Sequence, residues 1–127
     1  MRVSAMTARF TASVFLLLSL GSPALAHHST RAAYDMTRKV TMSGVVTKFE
    51  FQNPHVYILF DVKRENIGAV HWSIETYAPV VLVRRDSLGQ DTLKPGDQIT
   101  VTVWPSKNGA PRGFLVKLVM ADGLTIY

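Results

Sequence analysis

From Val40 onward apolar residues recur at every second position, the period of a strand with one buried face. Val40, Met42, Gly44 and Val46 share a phase that then slips by one residue to Phe49 and Phe51. Such a slip is what a β-bulge produces, so one is expected near Thr47-Lys48, with Gly44 permitting a bend. The polar corner Gln52-Asn53-Pro54 ends the run and sets His55 at the mouth of the next strand. There Val56, Ile58, Phe60 and Val62 alternate with His55, Tyr57, Leu59 and Asp61. Lys63 to Gly68 reads as a hairpin loop. A third strand places Val70, Trp72, Ile74 and Thr76 on one face and His71, Ser73, Glu75 and Tyr77 on the other. If the hairpin centres on Asn66, Tyr57 lies opposite Glu75, and Asp61 opposite His71.

Pro79 opens a different pattern. Proline suits the first turn of a helix and Gly89 its end, so Pro79 to Leu88 is expected to be helical. Val80, Val83 and Leu88 should face inward, with Arg84 and Arg85 outward. After the turn Leu93-Lys94-Pro95-Gly96-Asp97, a fourth strand alternates Ile99, Val101 and Val103 with Gln98, Thr100 and Thr102. Pro105 to Arg112 is a loop. A fifth strand, Gly113 to Met120, should turn Phe114, Val116, Leu118 and Met120 inward. Asp122-Gly123 leads into a short last strand, Leu124 to Tyr127. Three strands, a helix and two strands predict an all-β domain with one short helix over residues 40–127, an OB-like five-stranded Greek-key barrel. A small sandwich and an open sheet with one helix are the alternatives; the long, bulged, glycine-bearing first strand favours the barrel.

Before Val40 the alternation is absent. Arg2 and Arg9 precede an uncharged apolar run from Phe10 to Leu20, which Gly21-Ser22-Pro23 interrupts before Ala24-Leu25-Ala26. This is the pattern of a cleaved secretory signal over residues 1–26. The run is too short to cross a hydrocarbon core, which takes about 20 residues, so no membrane span is expected once it is removed. The mature protein is expected in the periplasm or outside the cell, and residues 27–39 are expected as an extended arm with a short turn around Ala32 to Asp35. Loss of Arg2 and Arg9 lowers Lys plus Arg from 14 to 12 against 9 acids, leaving a net charge of +3. That balance does not argue for nucleic acid, whose binders cluster their cations on one face. The chain has no cysteine, so thiol nucleophiles and thiolate metal sites are excluded, and stability must come from the core.

His27-His28-Ser29 at the expected mature start, Tyr34-Asp35, Gly44-Val45-Val46, Asn53-Pro54-His55 and Trp72 follow one another in a distinctive order. Leu93-Lys94-Pro95-Gly96-Asp97 and Asp122-Gly123 complete it. As a set they resemble a family of small secreted bacterial proteins classed only as a domain of unknown function. The resemblance covers nearly the whole mature chain and implies a periplasmic single-domain β-protein. It brings no activity, substrate or cofactor.

The sharpest candidate chemistry is metal binding. Cleavage after Ala26 would leave the α-amine and ring of His27 beside the His28 ring, a nitrogen set that suits copper(II) above nickel or zinc. His55 is the candidate third imidazole. The alternatives are a soluble terminus that binds metal adventitiously and a His55 that only hydrogen-bonds its turn. His71 is expected to pair with Asp61, too far from His55 to share an ion. The competing reading is a metal-free face, carrying Tyr57, His71, Glu75 and Tyr77, for a protein or envelope partner. Tyr57, Tyr77 and Trp104 also suggest a base-stacking surface, but the basic residues do not interleave with them. Glu50, Asp61 and Glu75 have no matched nucleophile, and Ser73 and Ser87 lie outside any Gly-x-Ser-x-Gly context. No enzymatic role is expected.

Overall fold

The first long strand, β1 (Val40–Glu50), serves two neighbours in turn. Its first half, Val40 to Val45, pairs with β4 (Gln98–Pro105), and its second half, Val45 to Glu50, pairs with β2 (Tyr57–Arg64). β2 forms a hairpin with β3 (Gly68–Glu75), and β4 with β5 (Arg112–Met120). A short parallel contact, Ser73 to Glu75 against Arg112 to Phe114, closes the circuit. The resulting strand order, β1-β2-β3-β5-β4 and back to β1, is a closed OB-like five-stranded barrel. A two-residue β6 (Thr125–Ile126) extends β5. The computed structural model describes residues 29–127; the expected signal segment 1–26, with His27 and His28, lies outside them.

The expected bulge is present. Val46 pairs with Phe60 and Lys48 with Leu59, so Thr47 is the extra residue and Phe49 returns to the inner face opposite Ile58. Gly44 has a sharper reason than bending. The Asp61 carbonyl and the Phe60 ring press so close that a Cβ at Gly44 would collide with both. The Lys94–Asp97 turn is tied to the same place. Gly96 donates its N–H to the Val46 carbonyl, and Val46 donates to the Asp97 carbonyl, each at 2.8 Å. The hairpin pairs Tyr57 with Glu75 and Asp61 with His71.

Two inward-facing sets differ from expectation. On β5, Thr102 pairs with Lys117 but Val103 pairs with Leu115, so Val116 is a second bulged residue. Leu115 and Leu118 therefore enter the core, while Phe114 points outward and is buried by other groups. Four alternating apolar residues hid the slip, because Leu115 and Phe114 are equally apolar. The helix α2 (Pro79–Asp86) starts at the expected proline but ends at Ser87, which takes a left-handed conformation (φ 55°). Leu82 and, beyond the turn, Leu88 are buried, whereas Val80 and Val83 are 53% and 49% exposed. A helix this short rests on the barrel through about one side chain per turn, and Leu82 takes that position.

The arm is docked rather than simply extended. One helical turn, α1 (Thr30–Ala33), precedes Tyr34, and the β4–β5 connection supplies its backbone partners. Asp35 N–H donates to the Pro105 carbonyl at 2.8 Å, and Lys107 N–H donates to the Ala33 carbonyl at 3.1 Å. No described helix is long and apolar enough to cross a membrane.

Candidate functional site

Because Ile58 and Ile74 point into the core, their neighbours Tyr57 and Glu75 must point out. Pairing extends this outward row across the barrel, Tyr57 to Glu75 to Phe114 to Trp104. Glu75 is its chemical centre. His55 Nδ1 lies 2.5 Å from Oε1, and the Tyr34 hydroxyl donates to Oε2 at 2.5 Å. An ionised carboxylate only accepts, so Nδ1 carries the hydrogen and the free lone pair of the neutral ring is on Nε2. The His55 side chain is 42% exposed against 17% for Glu75, so the carboxylate is recessed and the imidazole reaches solvent.

Both phenols beside Glu75 hold their protons more firmly than ordinary tyrosines. Burial is the main cause for Tyr34, followed by its hydrogen bond to Glu75 and that carboxylate's charge. For Tyr57 burial leads and the Glu75 charge adds to it. The Arg112 guanidinium, entering from the start of β5, opposes the rise at both hydroxyls.

An aromatic cluster walls one side. Phe114 is flanked by Tyr34 with ring centres 5.9 Å apart, by Tyr77 edge-on at 5.2 Å, and by Trp104 stacked at 6.1 Å. These contacts bury an outward-facing phenylalanine. Arg85 lies over the Tyr77 ring, 4.7 Å from its centre, and binds Asp86.

Of the residues singled out by sequence, the fold brings His55 and Tyr57 to the Glu75 carboxylate and sets Tyr77 against Phe114. His71 stands apart. Its Nδ1 meets Asp61 Oδ1 at 2.5 Å, its side chain is 82% exposed, and it stands four steps along the strand, roughly 13 Å, from Glu75. His27 and His28 lie outside the described residues. Among the described residues no three His, Asp or Glu side chains are grouped to hold a metal ion. Sequence reasoning missed Tyr34 and Arg112. Tyr34 stands 41 positions from Glu75, and its only signal was membership of the Tyr34-Asp35 pair. In the sequence Arg112 ends the loop that begins at Pro105.

A family model described as a family of unknown function, DUF6152, matches residues 14–115. No curated protein and no solved structure matches the chain.

Proposed function

The chain belongs to DUF6152, and from that premise we propose that it is an exported binding or accessory barrel whose mature N-terminus and His55 take a transition metal, copper(II) first. One observation carries the reading: His55 is oriented by Glu75 through Nδ1, leaving Nε2 as an outward donor. A histidine ligand fixed through its other nitrogen by a carboxylate is the usual outer-shell arrangement of metal sites. The remaining ligands would be the amine and ring of His27 and the ring of His28. Chain connectivity supports this, since Tyr34 shares the Glu75 carboxylate with His55. In the chain only five residues, four of them in α1, separate His28 from Tyr34. The periplasmic or secreted location rests on the signal pattern of residues 1–26.

Calorimetric titration of copper(II) into protein beginning at His27, and into a version with one extra residue before it, tests the proposal. Tight one-to-one binding that collapses when the amine is displaced supports it. Weak binding indifferent to the extra residue overturns it.

A second reading has its own support. Tyr77 is 39% exposed beside the Tyr57–Glu75 row, which suits a metal-free contact surface for a protein or envelope partner. Pull-down with wild-type protein and with Tyr77→Ser discriminates the two, because the metal reading gives Tyr77 no ligand role.

A further inference from the structure

Between the docked arm and the β4–β5 connection lies a cleft of about 240 Å³, lined by Tyr34, Ser106, Lys107, Asn108 and Arg112 together with the alanines of α1. Its hydrogen-bonding inventory is one-sided. The Asn108 side-chain oxygen already accepts from the Ser106 hydroxyl at 2.6 Å and from the Ala110 N–H at 3.0 Å. That assignment leaves both amide hydrogens of Asn108 unused. The Ala33 carbonyl accepts from Lys107 N–H and the Arg112 carbonyl from Ser106 N–H. The Tyr34 hydroxyl is committed to Glu75. Lys107 Nζ spends one hydrogen on the Arg31 carbonyl at 2.6 Å and keeps two.

Arg112 completes the imbalance. No carboxylate lies within ion-pair distance of its guanidinium among the described residues, and both oxygens of nearby Glu75 are engaged by His55 and Tyr34. Arg112, Lys107 and a free amide thus line a cleft whose own lining includes no carboxylate, the nearest acid to Lys107 being Asp35 in the adjoining cleft. Side-chain N–H donors in surplus over free side-chain acceptors complement an oxyanion, and a guanidinium fork matches a carboxylate or phosphate in two-point contact.

We infer that the arm–Arg112 cleft binds the oxyanionic group of a small ligand, a phosphate or a carboxylate, through Arg112, Asn108 and Lys107. The site needs neither a metal nor His55, so it stands independently of the function proposed above. It also gives the docked arm a purpose, since α1 forms one wall.

The test is a heteronuclear NMR titration of the protein beginning at His27, with chelator present and ionic strength held constant. Inorganic phosphate and succinate are the two probes, and sodium chloride is the reference. The expected result is a saturable shift at the Asn108 side-chain amide, the Arg112 Nε–H and the Ala33 and Tyr34 backbone amides with at least one probe. Preference between the probes identifies the source chemistry. Arg112→Gln should weaken binding at least tenfold and Asn108→Ala several-fold, the latter at unchanged net charge, while both keep the wild-type amide spectrum elsewhere. Shifts that chloride reproduces, or that survive Arg112→Gln in folded protein, overturn the inference. A copper titration without effect leaves this result untouched, so the two proposals fail separately.

Discussion

Tyr34 and Glu75, 41 positions apart, are joined by a 2.5 Å hydrogen bond from the phenol to Oε2. That bond ties the arm to the barrel at the carboxylate that also orients His55. Its removal should be felt in both places. Tyr34→Phe keeps the ring against Phe114 but leaves a recessed carboxylate oxygen unpaired, at a cost of about 1.5–3 kcal/mol. Urea unfolding should report that loss, and hydrogen exchange should accelerate at Asp35 and Lys107. Unchanged exchange there would mean that the backbone bonds alone hold the arm.

Alkaline pH should destabilise the fold through the same phenols. Tyr34 and Tyr57 have folded pKa values above the usual 10, by burial first and by the Glu75 charge with it. Below about pH 10 both states hold the protons and nothing is lost. Above it the unfolded chain releases protons that the folded one keeps, so stability falls as pH rises towards the folded values. Urea midpoints between pH 8 and pH 11.5 should decline above pH 10, and Tyr34→Phe should flatten the decline. A wild-type curve flat across that range would contradict the assignment.

His55 and His71 should behave oppositely. Each meets a carboxylate at 2.5 Å, yet the His71 pair is largely solvated and worth under about 1 kcal/mol. His71→Ala should leave copper binding unchanged. His55→Ala should remove it, and Glu75→Gln, which only disturbs the orientation of the ring, should weaken it about 10–100-fold. If His71→Ala matched His55→Ala, the metal would have to sit elsewhere.

Glycine substitutions should separate close approach from mere looseness. Gly44→Ala drives a methyl into the Asp61 backbone and the Phe60 ring, and should cost about 1–3 kcal/mol as an overpacked site does. Gly89→Ala meets nothing nearby and should be neutral within about 0.5 kcal/mol. Thermal unfolding of the pair decides; equal midpoints would show that β1 shifts freely to admit the methyl.

Much of the barrel was legible because a half-buried strand writes its faces into the chain at period two. The β1 bulge showed as a break in that phase at Thr47, and the β2–β3 register followed from a hairpin centred on Asn66. The Val116 bulge left no such break, since Phe114 and Leu115 satisfy either phase. Val80 and Val83 misled for a related reason: in an eight-residue helix, three valines and a leucine do not say which one the barrel will accept.

The sequence by itself therefore determined the strand periodicity, the helix start at Pro79, the nitrogen- and oxygen-only chemistry and the Tyr57–Glu75 and Asp61–His71 pairs, all of which depend on local spacing. Only the tertiary structure decided that Tyr34 and His55 meet at Glu75 and that Arg112 comes near the Tyr34 and Tyr57 hydroxyls. They come from the arm, from the turn before β2 and from β5, and what joins them is the closure of β3 against β5 and the docking of the arm. Contacts between distant segments depend on how the barrel closes, and no periodicity within any one segment encodes that.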